Sequence, residues 1–234
     1  RVRVATTAQL EQVCGLGLTR RGMQRKLTIL TELRVLARLP RVVGGVRAGS
    51  SGHVYALDAA GQRLVGRDRP GRVVRPWTPS AAFLAHMLAV TELYVQLVAC
   101  ERAGQVQLVR YVAEPGSWRH FFGRGGGRAV LKPDAYAVIR VDGFEDHWFI
   151  EVDRATESLP TIARKCSVYR SYWQSGTEQG GTGLFPKVLW LAPTSKRVDD
   201  IWAAIRRQPV DAWDLFAACV YEEAIPRLLD GAGL

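Results

Sequence analysis

Cysteine and methionine are scarce in this sequence, with four and two among 234 residues. Cys14, Cys100, Cys166 and Cys219 are far apart, and there is no CxxC pair or Cys/His cluster, which argues against a zinc knuckle. A chain of this length does not need disulfides to hold a core. The four are therefore read as reduced, mostly buried thiols of a cytoplasmic protein. No apolar run approaches the ~20 residues needed to span a bilayer, and no signal peptide is visible, so no membrane partner is expected. The chain opens at Arg1 rather than Met, so a trimmed N-terminus is expected. No internal repeat is present, and spacing alone picks out no Ser/His/Asp or Cys/His arrangement.

Acid is scarce in the first third. Residues 1–79 hold 15 Lys+Arg against 4 Asp+Glu, a net +11, whereas residues 80–234 hold 17 against 18, a net −1. Asymmetry of this size in one segment argues for a polyanion partner, double-stranded DNA, over general solubility. Arginine outnumbers lysine, which suits bidentate phosphate and guanine contacts, although a GC-rich genome gives the same bias.

The pattern predicts a short helix over 6–13, capped by Thr6 or Thr7, and a second over 20–36 with Leu27, Leu30 and Leu33 on its apolar face. Arg20, Arg21, Arg25 and Lys26 crowd the first half of that second helix. A Gly/Ser loop over 44–52, a strand over 53–57 and a helix over 59–65 follow. Helix, turn, basic helix and hairpin form the order of a winged helix-turn-helix. Leu33-x-x-Leu36-Ala37-Arg38 and then Val54-Tyr55-Ala56-Leu57 resemble such DNA-binding domains. In that arrangement the four cations enter the major groove and Arg47 on the wing reaches a flanking minor groove. A helix and hairpin that only pack on a neighbouring domain would give the same pattern.

The divisions expected are a winged helix over 1–66, a linker over 67–79 and a second domain over 80–234. The second domain reads as a helix over 80–103, then strands over 106–112, 131–141 and 147–152, with Asp142-Gly143 as the turn between the last two. A helix over 159–174, a Gly/Ser/Thr loop over 175–183, a strand over 187–192 and a helix over 195–207 follow. Residues 212–234 are expected to return and cover the sheet. The class is α+β or α/β, a mixed sheet flanked by helices behind the winged helix. Arg124-Gly125-Gly126-Gly127-Arg128 lacks the Gly-Lys-Ser/Thr ending of a nucleotide-binding loop and reads as a flexible basic hairpin tip near DNA.

Carboxylates gather at the strand ends. Asp134 opens one strand, and Glu151 and Asp153, two apart, point to one face at the end of the next. Three converging carboxylates repel unless a cation lies between them, and Mg²⁺ or Mn²⁺ held there would activate water against a phosphodiester. The blander reading makes Asp153, Arg154 and Glu157 charges at a helix start with local ion pairs, and Lys165 a solvated position.

Pro133-Asp134 followed by Glu151-Val152-Asp153 resembles the PD-(D/E)xK nuclease superfamily, the restriction-endonuclease-like fold. Asp153 stands where that family has lysine. The resemblance moves the lysine to Lys165 on the following helix, with Lys132 as an alternative, and places Glu92 on the first helix as a further metal ligand. Lys132-Pro133-Asp134-Ala135, the run from Phe149 through Glu151-Val152-Asp153-Arg154-Ala155-Thr156-Glu157, then Lys165 and Tyr169, with His86 upstream, resemble the replication-relaxation family. That resemblance implies a plasmid or integrated mobile element, a role in replication, DNA relaxation or transfer, and replication or transfer proteins as partners. In the catalytic version Asp134, Glu151, Asp153 and Glu92 hold Mg²⁺ or Mn²⁺ and Lys165 orients water in an endonuclease or nickase. In the alternative the nuclease fold is a non-catalytic DNA-binding scaffold or transcriptional regulator. A homodimer is compatible with a winged helix, although no heptad seam supports one.

Overall fold

The computed structural model describes residues 1–15, 17–40, 52–66, 73, 79–123 and 125–231. The chain divides by its internal contacts into two units, Val2–Ala99 and Cys100–Leu234, the latter together with Arg1.

The N-terminal unit runs β1 (Val4–Thr6), α1 (Thr7–Cys14), α2 (Arg20–Glu32), β2 (Leu36–Arg38), β3 (Val54–Leu57), α3 (Ala59–Val65) and α4 (Ala81–Arg102). Thr6 caps α1 in a reciprocal box. Its hydroxyl accepts from Gln9 N at 3.1 Å, and Gln9 Oε1 accepts from Thr6 N at 3.0 Å. Thr19 caps α2 by accepting from Gly22 N. The strands form an antiparallel sheet in the order β1-β3-β2, with α1 and α2 between β1 and β2 along the chain. Met23 and Leu27 of α2 are buried against Tyr55, which leaves the remaining helix surface outward.

Several expectations are corrected here. The second helix stops at Glu32, and Leu36-Ala37-Arg38 is a strand, because Arg34 turns the chain at φ 56°. Leu33, expected on the apolar face, is exposed. β1 went unseen in the sequence because three residues are too few to show alternation. The Gly/Ser wing up to residue 51, with Arg47, and nearly all of the 67–79 segment lie outside the described residues.

Helix α4 belongs with the N-terminal unit as far as Ala99, whereas the sequence places it at the head of the second domain. Leu84 and Met87 join Val4 and Leu39 in one cluster, and the Thr91 hydroxyl donates to Val4 O at 2.7 Å. By length and composition α4 is apolar enough to cross a bilayer, contrary to the sequence-based expectation. The burial of Leu84, Met87, Val90, Leu93 and Leu97 is also that of a core helix.

The C-terminal unit holds β4 (Gln107–Ala113), β5 (Arg119–Phe122), β6 (Arg128–Leu131), β7 (Ala135–Val141) and β8 (Phe144–Val152). There follow α5 (Leu159–Ser175), α6 (Thr177–Thr182), β9 (Lys187–Ala192), α7 (Ser195–Ile205), β10 (Phe216–Val220) and α8 (Ala224–Leu229). Five strands form a mixed sheet in the order β10-β9-β8-β7-β4. The β4-β7-β8 part is antiparallel, while β8, β9 and β10 run parallel. Asp142 and Gly143, both at positive φ (49° and 89°), make the tight β7–β8 turn that their sequence predicts. One face of the sheet carries Tyr136, Val138, Phe149, Val188 and Trp190, packed by Ile162, Cys166, Tyr169 and Tyr172 of α5 and by Ile201 and Ile205 of α7.

Three expectations fail in this unit. The strand over 131–141 is broken at Lys132-Pro133, because proline cannot donate to a ladder, and its first part pairs with β5 as a separate hairpin. Residues 177–182 form α6 rather than loop. The C-terminal segment enters the sheet as β10 instead of only covering it. The four cysteines are free, but only Cys166 and Cys219 are buried, and Cys14 is exposed.

Candidate functional site

Register explains why the carboxylates meet. The β7–β8 ladder pairs Ala135 with Ile150, so Asp134 continues it opposite Glu151. Asp134 Oδ2 accepts from Val152 N at 2.7 Å, which locks its carboxylate to the end of β8. Glu151 and Asp153 share the face of Phe149, toward α5 and α7, as the two-residue spacing predicts. All three carboxylates are buried, Glu151 to 1% exposure.

The same elements supply the countercharge. Ser158 caps α5 and Pro160 lies in its first turn, so the helix crosses the carboxylates with Lys165 and Tyr169 facing them. Lys165 Nζ lies 3.1 Å from Glu151 Oε2 and 2.8 Å from Glu157 Oε1, over the Trp190 ring. Tyr169 Oη donates to Glu151 Oε1 at 2.6 Å. Burial, with Asp134 beside it, pushes the Glu151 carboxyl up to about 7 against the pull of Lys165 and Tyr169. Burial disfavours the Lys165 ammonium, but Glu151 and Asp134 outweigh it and hold the group above its ordinary value. Burial, and then Glu151, also drives the Tyr169 hydroxyl well upward, so it serves as a donor.

Asp153 is held differently. Arg197 Nε and Nη2 reach its Oδ2 and Oδ1 at 2.6 and 3.1 Å, and Ala155 N donates to Oδ2 at 3.0 Å. Tyr221 Oη donates to the Asp153 carbonyl. The hydrogen bond to Asp153 raises Arg197 above its ordinary value. Sequence reasoning missed Arg197 and Tyr221. Arg197 gave one signal, a cation in the first turn of a helix, where the helix dipole disfavours it unless an acid is near. Tyr221 gave none.

Glu92 lies in the N-terminal unit, where its Oε2 accepts from Gln9 Nε2 at 2.8 Å. His86 stacks on Phe83 in that unit as well. Lys132, the alternative lysine, places its Nζ over the Trp118 ring at 4.7 Å.

A divalent cation implied by the nuclease resemblance does not fit these carboxylates as they stand. Both Glu151 oxygens and both Asp153 oxygens carry close protein donors, and the Lys165 ammonium already bridges Glu151 and Glu157. Among the described residues, no group of three or more His, Cys, Asp or Glu side chains is arranged to hold a metal ion.

The other candidate surface is α2. Arg20, Arg21, Arg25 and Lys26 are all exposed, and none forms an ion pair among the described residues. No acid occupies the first turn, so the positive helix end and the arginines add to one another.

The chain belongs to the replication-relaxation family, whose model matches residues 1–188. Membership supports a role in replication or relaxation of mobile elements. No curated protein and no solved structure matches the chain. Two groups that hold Asp153, Arg197 and Tyr221, lie beyond the matched stretch.

Proposed function

We propose, taking membership of that family as the premise, that this chain is a DNA-binding protein of a plasmid or integrated element. It grips duplex DNA through α2 and uses its nuclease-like unit as a scaffold for replication or transfer proteins. The observation that carries the reading is the set of four exposed, uncompensated cations in the first half of α2. At a helix start that charge is unfavourable by itself and becomes favourable against phosphate. The scaffold part rests on Lys165 and Arg197, which already neutralise the carboxylates that metal would otherwise need to hold.

A second reading, Mg²⁺- or Mn²⁺-dependent phosphodiester cleavage, is favoured by one observation. Asp134, Glu151 and Lys165 do converge, and these are the residue types of the PD-(D/E)xK set.

Two measurements test these readings. Duplex affinity titrated against salt should weaken steeply, and Arg25→Ala with Lys26→Ala should lower the slope of log K against log salt by about 0.9 per contact removed. An unchanged slope removes α2 as the DNA contact. Supercoiled plasmid incubated with Mg²⁺ or Mn²⁺ should stay intact with wild type, Asp134→Ala and Glu151→Ala alike, with duplex binding equal in all three. Nicked or linear product from wild type alone replaces the scaffold with the nuclease.

A further inference from the structure

The β5–β6 hairpin leaves the sheet just before Asp134 and is fixed at its root. Ser117 Oγ donates to Pro133 O at 2.5 Å, and Glu114 N donates to Asp134 O at 2.9 Å. One face of the hairpin is anchored. Phe121 and Leu131 are buried in the core, with the Phe121 ring 5.0 Å from that of Tyr172. Arg119 lies over the Tyr136 ring and pairs with the buried Glu178 at 3.0 Å. Alternation then turns His120 and Phe122 to the opposite face, and the ladder sets Phe122 directly across from Arg128. Phe122 is 64% exposed.

Phe122 stands exposed on a hairpin whose other face is anchored in the core, and the charge around it favours one kind of partner. Residues 115–133 contain no Asp or Glu, although the stretch 80–234 around them has a net charge of −1. Arg119 is occupied by Glu178, while Arg128 and Lys132 form no ion pair among the described residues. A second copy of the chain would bring the same cations and be repelled. A nucleic acid offers phosphates for the cations and a base face for the ring, and stacking on an aromatic side chain is indifferent to sequence. We infer that the β5–β6 hairpin is a second DNA-contacting element, in which Phe122 stacks on an unstacked base while Arg128 and Lys132 pair with the flanking phosphates. The inference rests on the DNA-binding reading above and extends it. It gives the C-terminal unit its own contact, aimed at a gap or distorted step rather than at intact duplex.

The test uses the full chain and a duplex oligonucleotide with a one-nucleotide gap and 2-aminopurine opposite it, read by anisotropy for binding and by 2-aminopurine fluorescence for stacking. Wild type should bind the gapped duplex more tightly than the intact one and change the 2-aminopurine signal. Phe122→Ala should lose about 5- to 150-fold in gapped-duplex affinity, together with the signal, while intact-duplex affinity stays as in wild type. Phe122→Trp should retain both. Equal gapped-duplex affinity and an equal signal for wild type and Phe122→Ala overturn the role of the hairpin while leaving DNA binding through α2 in place. Failure of wild type to bind either duplex overturns the DNA-binding reading and this inference with it.

Discussion

Arg197 closes a two-point ion pair on Asp153, Nε to Oδ2 at 2.6 Å and Nη2 to Oδ1 at 3.1 Å, and thereby ties α7 to the end of β8. Removing one partner of a buried pair leaves the other charged and unsolvated. Arg197→Ala should therefore lower stability by about 3–5 kcal/mol, read from urea unfolding at neutral pH. Adding Asp153→Asn should recover part of that loss. Equal stability of wild type and Arg197→Ala would show the pair to be solvated and inconsequential.

Glu151 predicts a pH dependence of stability. Its folded value is raised from an ordinary 4.5 to about 7. Between those values the native state holds a proton that the unfolded chain has released. Stability is therefore full below about 4.5 and falls as pH rises through about 7. Glu151→Gln, which cannot ionise, should flatten that stretch of the profile, measured as Tm against pH. A profile that keeps its slope in Glu151→Gln assigns the effect to another group.

Gly61 lies where α3 meets the chain after α2. A Cβ there would sit 2.2 Å from the Val35 carbonyl oxygen, a backbone atom that cannot swing aside. Gly61→Ala should cost about 1–3 kcal/mol despite alanine's better helix propensity. Gly180→Ala in α6, whose Cβ meets nothing within 4 Å, should be neutral or slightly stabilising. The contrast is read by thermal melting of the two variants beside wild type.

The thiols should separate by reactivity. Burial pushes Cys166 up to about 12 and Cys219 up to about 11, whereas Cys14 is exposed. Titration of the native protein with a thiol-specific chromogen should give a rapid phase that Cys14→Ser removes. Cys166 and Cys219 should respond only after denaturant is added.

The parts of this fold that sequence reveals are those governed by neighbours in the chain. Asp142-Gly143 dictates its own turn, β9 is a bounded apolar run, and the two-residue spacing of Glu151 and Asp153 fixes a shared face. What escaped depends on partners far along the chain. Leu131 looks continuous with β7 until Arg119 of β5 pairs with it and Pro133 breaks the ladder. β10 is a strand because β9 offers an open edge. The carboxylates and Lys165 could be named from their motif, but the pairing of Asp153 with Arg197, 44 residues further on, could not. Spacing carries no record of such pairings.

The parallel β8-β9-β10 order has a consequence for synthesis. β8 finds its antiparallel partner β7 across a two-residue turn, but β9 and β10 are made only after long crossovers, and Arg197 and Tyr221 lie on those later segments. A chain emerging from the ribosome presents its N-terminal unit first, as domains generally fold in the order in which they are made. For an interval the basic helix is folded while Asp153 still waits for its arginine and tyrosine. The nascent chain thus exposes its basic helix before its acidic interior is sealed.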